Sequence, residues 1–254
     1  MKVDGTRKTD VAHWDQAWGT RPRARLPKAA LAVTKNIHDV LRRYVRPGQA
    51  VIEIGCAPGK HLAWCARVLG GRVSGLDYSP VGFGTTQWLF AKLGIAADLR
   101  MEDVFKTTFP NEAFDVVYSF GVIEHFDDPT HIVRKHLELV RPGGWVVIAV
   151  PNYGGVYGRI QRRIDPENLA IHNLRIMSLD ALRQMAPPDL AEVIEVSSTG
   201  RPSPSLLSLA KLIGRRAGKL VTIVGELVCR LSPVSPAGLR PLLVLAIQRR
   251  PTAC

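Results

Sequence analysis

From Gln49 onward, short β-branched runs alternate with stretches of helical spacing, and this alternation constrains the fold more than any other feature. Strand-like runs fall at 50–54, 72–76, 98–101, 114–119 and 144–150, with helical stretches at 60–69, 81–93 and 129–140. Helices of that length can cross a sheet and return the chain parallel to the preceding strand. The pattern predicts an α/β fold, a doubly wound parallel sheet. "VRPGG", 140–144, is predicted to end a helix with Pro and Gly before the strand "WVVIAV".

On either side the pattern is weaker. Pro27 to Tyr44 is predicted to be helical, with Leu31, Ile37, Val40, Leu41 and Tyr44 forming an apolar stripe. After Pro151 a helix near 178–186, a strand near 191–197 and a last strand at 241–248 are predicted. Between those strands lies "SLLSLAKLIGRRAGKLVTIVGELVCRL", 205–231, apolar and basic with helical spacing. From 201 to the end there are nine basic residues against Glu226 alone, so the charge of this part is strongly one-sided. A helical cover, a homodimer interface and a membrane-surface helix all fit it. The organisation read from this is an N-terminal helical arm or lid over 1–48 and a main domain over 49–254, with a helical insertion at 199–238.

Composition narrows the class. A 46% apolar content suffices for a full core, which excludes disorder. The four cysteines form no C-x-x-C pair, so neither a zinc knuckle nor a disulfide framework is indicated. There is no apolar leader-like run and no stretch of about 18 apolar residues, so no transmembrane segment and a cytoplasmic location are expected. The net charge of +12 raises nucleic acid as a partner, but the basic residues are dispersed, without interleaved aromatics.

The chemistry starts at "VIEIGCAPGKHL", 51–62. Val51, Ile52 and Ile54 read as a buried strand; Gly55, Ala57 and Gly59 then keep the turn's backbone uncovered, and a helix follows. That geometry places backbone N–H groups and a helix N-terminus before a ligand. The spacing is G-x-A-x-G with Glu53 ahead of it, not the G-x-G-x-x-G of a nicotinamide site. Asp77 ends the second strand, where an acid can take both hydroxyls of a ribose. "MEDVF", 101–105, ends the third with two acids and an apolar residue, suited to an adenine. "FDVVYSFGVIEHF", 114–126, is a buried strand opening into a polar loop.

Together these residues resemble the class I S-adenosylmethionine-dependent methyltransferases, from about Val51 to Asn152. The resemblance implies a Rossmann-like seven-stranded sheet with its last strand antiparallel and S-adenosylmethionine as cofactor. It implies that Gly55, Ala57 and Gly59 line the methionine part, with Glu53 placing its amino group. Asp77 would hold the ribose, Tyr78 lie beside the adenosine, Asp103 and Val104 meet the adenine, and Ser119 and Phe120 close the floor. Ala57 departs from the family's usual glycine. "HWDQAW", 13–18, resembles the aromatic N-terminal segment that folds over the cofactor as a lid, with Trp14 and Trp18 on one face if helical.

A sulfonium methyl is already activated, so transfer is an in-line displacement that needs alignment and, for a protonated nucleophile, a base. His125 is the candidate base, with Glu124 beside it and His172 or Asn152 near the substrate. Ubiquinone-type O-methyltransferases and small-RNA 3′-end methyltransferases look similar here but carry E-x-x-E-H and a later His that bind a divalent metal. Gly121 replaces the first acid in this chain, and the expectation is a metal-free site. The function expected is O- or N-methylation of a small organic molecule, a secondary metabolite. The alternative is a nucleic-acid methyltransferase, favoured by charge; against it, no N-P-P-Y motif follows the fourth strand.

Overall fold

A computed structural model of the chain describes residues 7–19, 24–27, 31–232 and 235–251. Seven strands form one sheet: β1 (Ala50–Ile54), β2 (Arg72–Asp77), β3 (Asp98–Met101), β4 (Phe114–Phe120), β5 (Val140–Pro151), β6 (Ala191–Thr199) and β7 (Leu242–Arg249). Their order is β3-β2-β1-β4-β5-β7-β6. Pairing is parallel from β3 to β5 and antiparallel where β7 meets β5 and β6. This is the predicted Rossmann-like sheet with its last strand antiparallel.

Alternation along the strands feeds two cores. On one face Ile52, Ile54, Val117, Ile148 and Leu245 pack with Ile132 and Leu137 of α5 (Thr130–Leu139). On the other, Val51, Val116, Val147 and Val244 meet Leu41, Leu62 and Leu89. Those three belong to α2 (Ala32–Tyr44), α3 (Lys60–Trp64) and α4 (Pro80–Leu93). After α3 the helix widens to one π turn, Cys65–Leu69, and stops at Gly70 in the left-handed region. The helix predicted from Pro27 is described from Ala32; residues 28–30 lie outside the described residues.

One junction differs from the sequence reading. The helix does stop at "VRPGG", α5 ending at Leu139 with Val140 as its cap, but 140–144 already belong to β5 instead of linking to it. Phe114 faces Val140 while Val116 faces Trp145, so β5 carries extra residues within Arg141–Gly144 as a bulge between them. A bulge tolerates the proline and glycines that a regular central strand would reject.

An N-terminal helix α1 (Val11–Ala17) precedes the sheet. Between β5 and β6 lie α6 (Val156–Ile164), α7 (Pro166–Ala170) and α8 (Leu179–Gln184). The first two were not anticipated. Before β7 come α9 (Leu209–Ile213) and α10 (Arg215–Arg230), split at Gly214 with φ +83°. No helix among the described residues is long and apolar enough to cross a membrane.

Candidate active site

Parallel strands end on one side, and where the order reverses between β1 and β4 the loops diverge and leave a crevice. A cavity of about 310 Å³ occupies that place, over the ends of β1, β2 and β4. Ile54 and Leu76 lie at its base, Gly55 and Ala57 on one wall, Tyr78, Glu102 and Val104 on another, and Phe120, Gly121 and His125 opposite.

The loop after β1 is held by backbone geometry. Gly55 has φ +70°, and a Cβ there would meet Val122 Cγ2 at 2.7 Å. Gly59 has φ +81° and starts α3; a Cβ would meet Thr86 Cγ2 at 2.7 Å. Gly55 therefore faces the cavity while Gly59 allows close packing onto α4. Asp77 ties the same loop down: Ala57 N donates to its Oδ2 at 3.0 Å and Ser79 N to its Oδ1 at 3.0 Å. Burial raises the Asp77 carboxyl above its ordinary value, and the two amides oppose that rise.

Besides Gly59, three predicted ligand residues lie off the cavity lining. Glu53 lies beneath the loop, 5% exposed, where Tyr118 Oη donates to its Oε2 at 3.1 Å; burial pushes it up to about 8. Ser119 does not line the cavity: its hydroxyl is 2.9 Å from His136 Nε2, and His136 Nδ1 donates to Ile132 O. Asp103 is turned aside too. It pairs with Arg7 at 2.6 Å and accepts from Phe105 N, while its neighbours Glu102 and Val104 line the cavity. Arg7 itself lines the cavity, its guanidinium 5.0 Å from the Tyr78 ring.

The N-terminal arm covers this cavity. Lys8 N donates to His125 O at 2.8 Å and Arg7 bridges to Phe126, which lays the segment along the loop after β4. Trp14 and Trp18, stacked with centroids 6.0 Å apart, both line the cavity, and Trp14 meets His125 edge-on at 4.9 Å. Asp15 anchors α1 by accepting from Ser79 Oγ at 2.5 Å and Val81 N at 3.2 Å, at the start of α4. Arg7 carried no recognisable signal in the sequence, since its place depends on pairing with Asp103 and Phe126 far along the chain.

Beside the cavity the chain brings together Glu124, His125 and His172, with one ligand atom of each within 4.8 Å of the others. Asn173 causes this: its N donates to Glu124 O at 2.6 Å and its Nδ2 to Phe126 O, docking the 169–176 segment on the exit of β4. His125 Nδ1 donates to Ile171 O at 3.0 Å and His172 Nδ1 to Asn168 O at 2.7 Å. Carbonyls only accept, so each neutral ring keeps its Nε2 lone pair. Burial, then His172, lowers His125 to about 3; burial also lowers His172 and pushes Glu124 up to about 8. Glu124 Oε2 is buried with no hydrogen-bond partner. Two imidazoles fixed by carbonyls and an unpaired carboxyl oxygen form a donor set that fits a divalent cation. Gly121, at φ +69°, leaves the set one carboxylate short of the four-ligand pattern.

Residues 25–190 match a methyltransferase domain family (Methyltransf_23). The chain belongs to this family. Among relatives, it is 30% identical over 145 residues to a ubiquinone biosynthesis O-methyltransferase of Methylobacterium sp. (strain 4-46), covering 55% of this chain and 58% of that one. It is 25% identical over 189 residues to methyltransferase GfsG of Streptomyces halstedii, covering 72% and 67%. A solved structure of a putative sarcosine dimethylglycine methyltransferase from Galdieria sulphuraria superposes with a TM-score of 0.63 at 15% identity, covering 94% and 98%. That likeness is one of fold. The stretch matched to the first relative is a little over half that relative's length.

Proposed function

We propose that this methyltransferase-family protein transfers a methyl group from S-adenosylmethionine to an oxygen or nitrogen of a small organic acceptor, a secondary metabolite. The observation that carries the proposal is the cavity at the sheet's switch point, walled by Gly55 and Ala57, with the Asp77 carboxylate at its edge. The methionine part lies along Gly55 and Ala57, above the buried Glu53. Asp77 accepts the ribose hydroxyls, Tyr78 and Val104 pack on the adenine, and Phe120 forms the floor. Asp103 contributes through Arg7, which it holds against Tyr78. Trp14 and Trp18 exclude water, and His125 Nε2, its lone pair left open by the Nδ1 bond to Ile171 O, takes the acceptor's proton as the methyl is displaced in line.

A second reading keeps the scaffold and gives the three polar residues another role. The orphaned Glu124 Oε2 favours it. Glu124, His125 and His172 would hold a divalent cation, which would polarise and acidify an acceptor hydroxyl. The test combines three arms on the intact protein. Calorimetry with S-adenosylhomocysteine must show binding, or the cofactor assignment fails. Incubation with labelled S-adenosylmethionine and a library of phenols, acids and amines must yield a methylated product; methylation of RNA alone, with heparin retention lost only at high salt, would move the protein to nucleic acid. Manganese titration separates the readings: binding lost in Glu124→Gln supports the cation, and no binding leaves His125 as base.

A further inference from the structure

The cover before β7 is amphipathic the wrong way round for a helix that only packs on its own domain. Along α10 the inward face consists of Gly218, Thr222, Gly225, Glu226 and Cys229, while the large apolar residues point outward. Leu220 is 63% exposed, Val224 50%, Leu227 44%, Val228 64% and, just beyond the helix, Leu231 76%. Nine of the eighteen exposed large apolar side chains among the described residues fall between Leu212 and Leu231, so the exposure is concentrated, not scattered.

The helix cannot turn to bury that face. Glu226, 1% exposed, accepts from Val33 N at 2.7 Å and Ser205 N at 3.0 Å, and from the Ser203 hydroxyl. A Cβ on Gly218 would meet Ala210 Cα at 2.4 Å, and one on Gly225 would meet Pro204 Cγ at 2.8 Å. Small residues thus bring α10 close to the body, and a buried acid fixes its rotation.

Charge identifies what covers the outer face. Arg215, Arg216 and Lys219 are exposed and flank the apolar stripe, and Glu226, the acid of this segment, is turned inward. The neighbouring α6, packed against α9, adds exposed Arg159, Arg162 and Arg163. A second copy would bring the same positive charge to the contact, within a chain of net charge +12. An anionic lipid surface supplies both an apolar interior and the opposite charge. We infer that α9 and α10 form a docking face for anionic membranes, with the apolar stripe in the acyl boundary and the basic flank at the headgroups. This holds whatever the protein methylates.

Vesicle co-sedimentation of the full chain tests it. Binding to phosphatidylglycerol–phosphatidylcholine vesicles, weakened by salt and absent with phosphatidylcholine alone, is the expected result. A Leu220→Gln/Val224→Gln/Leu227→Gln variant, whose altered side chains all point to solvent, should keep its melting temperature and lose roughly tenfold or more in vesicle affinity. Arg215→Gln/Arg216→Gln/Lys219→Gln should lose most of the anionic preference. No binding to either vesicle, or unchanged binding by the apolar triple variant, would overturn the inference. So would a dimer in light scattering that this variant converts to monomer, because the face would then belong to a second copy.

Discussion

Asp77 holds the loop and faces the cavity at once, because its two oxygens take the amides of Ala57 and Ser79. Removing it removes a charged acceptor for the ribose and loosens the loop that carries Ala57. Asp77→Ala should weaken S-adenosylhomocysteine binding by about 1–3 kcal/mol, the range for hydrogen bonds to charged groups, measured by calorimetry on folded protein. Equal affinity in the variant would end the ribose assignment. Glu53 makes a different prediction. Its carboxyl is pushed up to about 8 in the fold, against roughly 4.3 when unfolded. The folded chain holds that proton more tightly, so the contribution is fully present below about pH 4.3 and is lost as pH rises toward 8. Glu53→Gln stays neutral and keeps it. The stability of the variant minus that of the parent should therefore climb between pH 5 and pH 8 in denaturant melts, and parallel curves would refute the buried-proton account. At this scale the sequence was legible where one acid ends one strand, as for Asp77. It was not where two acids adjoin: Asp103, not Glu102, turns away, because its partner Arg7 lies 96 positions earlier.

Among the elements, α1 is tethered more than packed. None of its residues is buried, and Asp15 links it to the start of α4. An arm held this way can open to admit the cofactor and close over it. Asp15→Ala should speed the dissociation of S-adenosylhomocysteine by roughly tenfold while leaving the cooperative thermal transition in place, since Asp15 ties only α1 to the start of α4. Stopped-flow tryptophan fluorescence reads the rate through Trp14 and Trp18; an unaltered rate would make the arm a fixed wall. The aromatic pair was legible as a helical face because Trp14 and Trp18 are four apart. The bulge at 141–144 was not, because Pro and Gly punctuate helix ends and bulged strands alike, and only pairing with Phe114 and Val116 distinguishes them. The outward face of α10 was hidden for a similar reason: spacing reveals amphipathicity, but Val33, Ser203 and Ser205 decide which side turns inward.

For the whole molecule, the last strand in the sequence is the one on which the sheet depends. β7 lies between β5 and β6, and β6 has β7 as its sheet partner. Leu243, Val244, Leu245 and Ile247 are at most 3% exposed and feed both cores. At roughly 1.5–3 kcal/mol for each large apolar side chain, these four rival the net stability of roughly 5–15 kcal/mol typical of a domain. Arg249 adds a clasp, donating to the carbonyls of Leu137 and Val140 where α5 meets β5. A chain ending at Arg240 keeps the residues of the cofactor cavity but leaves β5 with an open edge and β6 without a partner. It should fail to give a cooperative thermal transition and should not bind S-adenosylhomocysteine. A soluble 1–240 chain with the parent's affinity would mean that β1 to β5 stand alone and that the antiparallel pair is an accessory. The inserted position of β7 argues against that, since its two faces complete the cores on which the α5 and α2 layers rest.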